Sequence, residues 1–250
     1  MWSDPAIGAV LQPAALGLLW LGGFVGAVAS AGSGFAFALT ASAIWLHVLD
    51  PLHATLLIVA CSTLMQFGTV WQLRHHINLG RLWPFVAGGL IGIPVGVLLL
   101  AHTDPHRVKM ALGAFLAVFG LYALLAPRLP VVGRGGRPLD GVIGFVGGIL
   151  GGIGGYSGVL PTIWTQLRGW TKFEARAVYQ PFIIVIQVAT LLVVGAVALD
   201  RAGVVMLIAV LPALTLGGFV GWKLYGRLDE RRFRQLLAML LVASGLTLLF

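Results

Sequence analysis

The sequence predicts an all-α integral membrane protein with two inverted-topology repeats, each a broken re-entrant helical hairpin followed by three transmembrane helices. The first observation is composition: 59% of the residues are hydrophobic and only 10% are charged, whereas soluble domains carry about 25% charged residues. The second is that the apolar residues form long runs, two of which are interrupted by glycine and serine. The third is a similarity between the two halves of the chain.

Composition and charge exclude a soluble or nucleic-acid-binding protein. A soluble fold of 250 residues could not bury so much apolar surface. The net charge of +8 would suggest nucleic acid as the partner of a soluble protein. Here the basic residues lie in short loops between apolar runs, so membrane topology accounts for them. We therefore expect a lipid bilayer as partner and no nucleic acid.

The apolar runs predict the helices. A helix needs about 20 apolar residues to cross the hydrocarbon core, and six runs fit one crossing each. The stretches 13–48 and 140–167 are too long for one helix and are interrupted by "SAGSG" (Ser30–Gly34) and "GIGGYSG" (Gly152–Gly158). Each half of such a stretch has about 14 residues, or about 21 Å of helix, which predicts re-entrant half-helices.

These elements define the expected domain organisation. The N-terminal repeat covers 1–126, with hairpin 13–48 and helices 53–73, 82–101 and 107–126. A basic cytoplasmic linker covers 127–139. The C-terminal repeat covers 140–250, with hairpin 140–167 and helices 174–197, 203–222 and 233–250.

The distribution of basic residues predicts the topology. If each broken stretch returns to its starting side, 13 basic residues face one side and only Arg107, Lys109 and Arg201 face the other. Counting each broken stretch as one crossing gives 6 against 10 and loses the asymmetry. Because basic loops stay in the cytoplasm, we expect a multi-pass protein of the bacterial inner membrane with both termini outside, in the periplasm.

The two halves align with each other over most of their length. A shift of 121 positions places "GFVG" of Gly23–Gly26 on Gly144–Gly147, and the pair Gln66 and Thr69 on Gln187 and Thr190. Further along, a shift of 125 places Gly92 and Gly96 on Gly217 and Gly221. With the topology above, the two repeats are inverted, and inverted repeats with broken helices are typical of secondary transporters.

The sequence resembles a known family of membrane proteins. Two Gly-rich hairpins, "GGFVGAVASAGSGFAFAL" and "GFVGGILGGIGGYSGVLP", open halves of about 110 residues that a basic loop joins. This arrangement resembles the TauE/SafE family of transporters, also called sulfite exporters, over about residues 17–250. The resemblance implies a secondary transporter of small sulfur-containing anions such as sulfite, sulfoacetate or other organosulfonates. It implies neither catalysis nor a cofactor.

The helix breaks are the first candidate site. A half-helix that begins at a break points its free N–H groups and positive dipole end at that place, which suits an anion without any charged side chain. The residues concerned are Ser33, Gly34, Gly154, Gly155, Tyr156 and Ser157. The serine hydroxyls could contact substrate or cap the half-helices, and Tyr156 could donate a hydrogen bond or wedge the hairpin.

Two polar pairs in the spans are the second candidate site. Gln66 and Thr69 share a helix face, and so do Gln187 and Thr190. They could join helices to each other, but the repeat would bring both pairs to one pseudo-symmetry axis, so we expect them to line a substrate site. Gln180 is a weaker candidate. The glycine rows Gly88/Gly92/Gly96 and Gly217/Gly221 are expected to pack helices.

Other functions fit the sequence less well. The glycine-rich break has no lysine and matches neither phosphate-binding pattern. "GYSG" matches the pattern of intramembrane serine proteases, but every histidine precedes Ser157 and no span centre carries a carboxylate, so we expect no catalytic residues. The histidine spacing predicts no metal site. An anion channel and, less favoured, a hydrolase using Ser157 stay as alternatives, and a homodimer is left open.

The spans also predict the mechanism. Because no span centre contains Asp, Glu, Lys or Arg, the usual intramembrane proton relay is missing. An anion that leaves an inside-negative cell gains about 2.3 kcal/mol per charge at 100 mV. We therefore expect export by alternating access, with the anion held where the two helix breaks meet.

Overall fold

The computed structural model describes residues 12–33, 36–125, 136–224 and 230–249, and the regular structure in these ranges is helical. A short 3₁₀ helix, Arg74–His76, follows α3. The α-helices of the described ranges are α1 Pro13–Ser33, α2 Phe37–Trp45, α3 Pro51–Leu73, α4 Leu79–His102, α5 Pro105–Leu125, α6 Arg137–Gly154, α7 Val159–Leu167, α8 Lys172–Ala198, α9 Arg201–Leu224 and α10 Glu230–Leu249. Most of the expected linker, 127–135, lies outside the described residues.

Each half of the chain has the same order of elements. A long helix is followed by a helix of nine residues and then by three long helices. Thus α1 to α5 correspond in order to α6 to α10.

In both halves the short helix runs back along the long helix before it. The indole Nε1 of Trp45, at the end of α2, donates to the carbonyl of Leu19 in α1 over 3.0 Å. In the second half, Nε1 of Trp164 in α7 donates to Oδ1 of Asp140, at the start of α6, over 2.7 Å. Each pair of helices therefore forms a hairpin.

The expected length of the half-helices is wrong. Helix α1 has 21 residues and α6 has 18, whereas α2 and α7 have nine each. Helix α1 continues through Ser30 to Ser33 because one glycine or serine inside a helix costs only about 1 kcal/mol or less, which packing can offset. Helix α1 therefore ends at Ser33, whereas the sequence predicted an interruption across Ser30–Gly34. Gly34 itself lies outside the described residues.

Glycines allow the helices of one half to touch those of the other. A Cβ added to Gly92 in α4 would lie 2.1 Å from the carbonyl oxygen of Phe145 in α6. A Cβ added to Gly217 in α9 would lie 2.5 Å from the carbonyl oxygen of Phe24 in α1. One turn further, Gly96 meets Ile149 and Gly221 meets Val28 in the same way. The glycine rows are thus packing residues, and equivalent helices make equivalent contacts.

The contacts also give the directions of the paired helices. Helix α4 is parallel to α6, since Gly92 meets Phe145 and Gly96 meets Ile149. Helices α5 and α10 are antiparallel, because Gly113 approaches Leu248 and Gly120 approaches Ala238. Helix α3 packs on α8, the equivalent helix of the other half.

The outer surface of the bundle is apolar. Ile91, Val118 and Leu192 are each about two-thirds or more exposed, which would be costly in water over so large a surface. Five helical segments in the described ranges are long and apolar enough to cross a membrane: Pro13–Ala31, Leu79–His102, Pro105–Leu125, Phe173–Ala196 and Arg201–Leu224. Shorter apolar segments lie in α3 and α10, at Pro51–Phe67 and Leu237–Leu249.

We predict that Gly92→Ala destabilises the protein. The new methyl group would overlap the backbone of α6, and overpacking of this kind costs about 1–3 kcal/mol. The expected decrease in Tm in detergent is about 2–10 °C. Gly195→Ala is the matched control, because a Cβ at Gly195 meets nothing within 4 Å. An equal change in Tm for both variants would contradict the packing role of Gly92.

Candidate functional site

A buried polar cluster lies where α3 and α8 pack together. Nε2 of Gln66 donates to Oε1 of Gln187 over 2.9 Å, and Nε2 of Gln187 donates to Oγ of Ser62 over 2.5 Å. Both glutamines are buried. Gln66 and Gln187 are equivalent positions in the two halves, so this hydrogen bond joins a residue to its own counterpart.

Several buried polar atoms of α3 and α8 have no hydrogen-bond partner in the described part of the chain. They include Oε1 of Gln66, Oγ1 of Thr190 and both amide atoms of Gln180. A buried polar group without a partner costs about 1–3 kcal/mol. A polar ligand at this place could supply the missing hydrogen bonds.

Helix periodicity explains why these side chains share one face. Gln180, Gln187 and Thr190 are spaced by seven and three residues along α8, and residues at such spacings lie on the same side of a helix. On α3, Ser62 precedes Gln66 by one turn. The sequence prediction missed Ser62, although its spacing from Gln66 was a usable signal.

The break between α6 and α7 is closed by a left-handed glycine. Gly155 has φ 77° and ψ 14°, a conformation that glycine adopts without strain. Its N–H donates to the carbonyl of Gly151, and the N–H of Tyr156 donates to that of Leu150, which is the usual way to end a helix at glycine. The break therefore depends on Gly155 itself.

Ser157 follows the break and is fully buried. A Cβ added to Gly151 would lie 3.1 Å from Cβ of Ser157 and 3.0 Å from Ile186. Ser157 therefore lies close to Ile186, the residue before Gln187. Its Oγ has no hydrogen-bond partner in the described ranges, and no side chain caps the start of α7. Capping thus does not account for the Ser157 hydroxyl.

Tyr156 points away from the glutamine pair. Its ring packs on Gly154 and lies 5.1 Å, centroid to centroid, from that of Phe115 in α5. Its hydroxyl faces Ser42 in α2. These contacts favour the wedge role, and they connect the tip of the second hairpin to the first hairpin.

The predicted site residues fall into three groups. Gln66 and Gln187 contact each other, and Ser157 and Thr190 are also buried. Gly155 instead packs on Ile58, which is eight residues, or about 12 Å of helix, from Gln66. The side chains of Ser33 and Thr69 and all of Gly34 lie outside the described residues.

An ionic cluster lies at the N-terminal end of α3, away from Gln66. His53 contacts Asp50 over 2.6 Å and Asp200 over 3.3 Å. Partial burial raises the pKa of Asp50, but hydrogen bonds from His53 outweigh this effect and hold the pKa below its usual value. The amide of Gly203 lowers the pKa of Asp200. Both carboxylates are therefore ionised at neutral pH.

Metal binding finds no support in the geometry. In residues 12–33, 36–125, 136–224 and 230–249, no group of three or more His, Cys, Asp and Glu side chains could hold a metal ion. The buried cluster offers only amides and hydroxyls, which are hydrogen-bonding groups.

Five apolar helices and a buried, uncharged polar cluster define a multi-pass membrane protein. A family model described as "Sulfite exporter TauE/SafE" matches residues 18–248, nearly the whole chain. The chain belongs to this family of transporters. No curated protein and no solved structure matches it significantly.

We predict an energetic coupling between Gln66 and Gln187. Removing either side chain leaves the other amide without its partner, so Gln66→Ala and Gln187→Ala together should cost less than the sum of their separate effects. Interhelical hydrogen bonds in membranes contribute about 0.6 kcal/mol, and at most about 1.7. Unfolding in mixed micelles measures the double-mutant cycle.

The control for this cycle combines Gln187→Ala with Thr215→Ala, which lies on the exposed side of α9. The effects of this control pair should add. Additive effects for both pairs would argue against the Gln66–Gln187 bond.

Proposed function

We propose that the chain exports small sulfur-containing anions, such as sulfite, sulfoacetate or other organosulfonates, by alternating access across the bacterial inner membrane. The observation that carries this proposal is the buried polar cluster at the contact of α3 and α8. Family membership supports transport of a sulfur anion.

Alternating access requires two halves that can move against each other. The antiparallel contact of the equivalent helices α5 and α10 supports a two-fold axis between the halves, and so does the repeated glycine contact of α4 with α6 and of α9 with α1. Halves related in this way are inverted repeats. They would form two re-entrant hairpins that enter from opposite sides, with the site at their interface.

The anion site would use neutral donors. Within the described residues, the amides of Ser157 and Gly158 make no backbone hydrogen bond, and they lie at the start of α7, where the helix dipole is positive. The hydroxyls of Ser157 and Thr190 and the amide of Gln187 add further donors. Neutral donors suit a site that is empty for part of the cycle, because a buried charged side chain without its counter-ion would be costly.

The driving force fits this chemistry. An anion that leaves an inside-negative cell releases about 2.3 kcal/mol per charge at 100 mV. Export of this kind needs no coupled ion, and the site needs no group that changes its charge during the cycle.

A channel and a hydrolase are the rival functions. The burial of Ser157 supports a site closed to both sides of the membrane, which an alternating-access protein has in one part of its cycle and an open channel does not. A serine nucleophile requires a base within hydrogen-bond reach, and the Ser157 hydroxyl has no partner in the described ranges. Single-channel currents would identify the channel, and labelling of Ser157 by a serine-reactive probe would identify the hydrolase.

We predict that Ser157→Ala and Gln187→Ala each reduce sulfite flux about tenfold, because each removes a hydrogen bond to a charged substrate. Uptake of [³⁵S]sulfite into proteoliposomes with an imposed potential measures the flux, which should saturate with substrate.

Thr215→Ala is the control for this experiment. Thr215 lies on the exposed face of α9, and its hydroxyl bonds to Pro212 of the same helix, so its flux should equal that of the wild type. Wild-type flux in both Ser157→Ala and Gln187→Ala would remove these residues from the transport site.

A further inference from the structure

A cleft opens at the end of the bundle opposite Asp50 and Asp200. It lies between the start of α4, the start of α6 and the segment that follows α7, and its volume is about 450 Å³. The charged and aromatic side chains that line it are Arg81, Arg137, Asp140, Arg168 and Trp170. This cleft is separate from the polar cluster around Gln187.

The cleft carries an excess of positive charge. Three guanidinium groups line it, against the single carboxylate of Asp140. Arg81 also pairs with Glu174 beside the cleft, over 3.0 Å. No ion pair or hydrogen bond of the Arg137 side chain occurs among the described residues. A concave surface lined by one sign of charge concentrates ions of the opposite sign.

The Arg168 side chain packs near two indole rings, but one of its buried nitrogens lacks a hydrogen-bond partner among the described residues. Its guanidinium lies 5.6 Å from the ring centre of Trp170 and 6.0 Å from that of Trp164. Its Nη1 is buried and lies 3.6 Å from Oδ1 of Asp140, beyond hydrogen-bond distance. The same oxygen of Asp140 already accepts from the Trp164 indole. An incoming oxyanion could therefore make a better bond to Arg168 than Asp140 does.

We propose that this cleft is a second anion site, which binds a sulfite or sulfonate group between Arg137 and Arg168 in competition with Asp140. The assignment as the entry site for exported substrate rests on the proposed function. Guanidinium groups suit such oxygens because their N–H donors form paired hydrogen bonds.

A buried layer, which contains Gln180 besides apolar side chains, separates the entry site from the central cluster. From Glu174, beside the cleft, to Gln187 is 13 residues of α8, which is about 20 Å of helix. Between them, the rings of Phe85 and Phe182 meet edge to face at 6.2 Å. The two sites would thus be occupied one after the other.

Competition with Asp140 would couple binding to movement of the second hairpin. Asp140 lies at the start of α6, and its partners Trp164 and Arg168 lie at the end of α7 and just after it. An anion that takes Arg168 weakens the link between the two ends of this hairpin. Loading at the cleft would then favour the opening of the hairpin toward the central site.

Equilibrium dialysis of [³⁵S]sulfite against the purified full-length protein, in the Gln187→Ala background and at low ionic strength, tests the proposal. Arg168→Gln and Arg137→Gln should each weaken binding about tenfold. Asp140→Asn should tighten it several-fold, because it removes the competing charge. Arg107→Gln, exposed at the other end of the bundle, should leave the affinity unchanged.

Three results would overturn the proposal: no saturable binding, wild-type affinity in Arg168→Gln, or weaker binding in Asp140→Asn. Nanodiscs of phosphatidylcholine with and without phosphatidylglycerol give a second arm. Sulfite affinity that is the same in both supports a soluble anion, whereas loss of sulfite binding with phosphatidylglycerol would assign the cleft to a lipid headgroup and contradict the proposal. If the cleft variants have no effect but Ser157→Ala and Gln187→Ala still reduce flux, the entry site fails and the proposed function stands.

Discussion

The close approach of helix backbones at glycine is the interaction on which the rest of the structure depends. In lipid, apolar side chains do not drive helices together, because the lipid tails are equally apolar. Gly92 and Gly96 of α4 therefore matter, since they let this helix touch the backbone of α6, and Gly217 and Gly221 do the same between α9 and α1. These contacts join opposite halves of the chain and so fix where α3 meets α8.

The contact of α3 and α8 brings equivalent residues of the two halves into one buried polar cluster. A residue near the axis between two equivalent halves lies next to its own counterpart, which is why one glutamine per repeat yields the bonded pair Gln66 and Gln187. The cluster they form is buried and uncharged. Among the described residues, charged side chains lie toward the ends of the bundle, with Asp50, Asp200, Arg107 and Arg201 at one end and Arg81, Arg137 and Arg168 at the other. An anion moving through such a protein would be attracted at the basic end and only briefly held in the middle.

The sequence predicted the helical class, the family and the proximity of Gln66 to Gln187, because these depend on composition, on glycine spacing and on an internal repeat. It did not predict the unequal arms of the hairpins, since the propensity of small residues is too weak to locate a break when packing can extend a helix, as in α1. The sequence analysis also did not predict the contacts of Ser62, Asp140 and Arg168. Ser62 meets Gln187, Asp140 meets Trp164 and Arg168 meets Asp140, in each case from another helix, and only the folded structure brings these side chains together.

The central claim is that the two halves have opposite orientations in the membrane, and cysteine labelling tests it most directly. Leu79 and Arg201 begin the equivalent helices α4 and α9, and both are exposed. In a Cys61→Ala background, Leu79→Cys and Arg201→Cys would be treated in intact cells with a membrane-impermeant maleimide, before and after permeabilisation. The account predicts that Arg201→Cys reacts in intact cells and that Leu79→Cys reacts only after permeabilisation. Reaction of both positions from the same side would mean parallel halves and would contradict it.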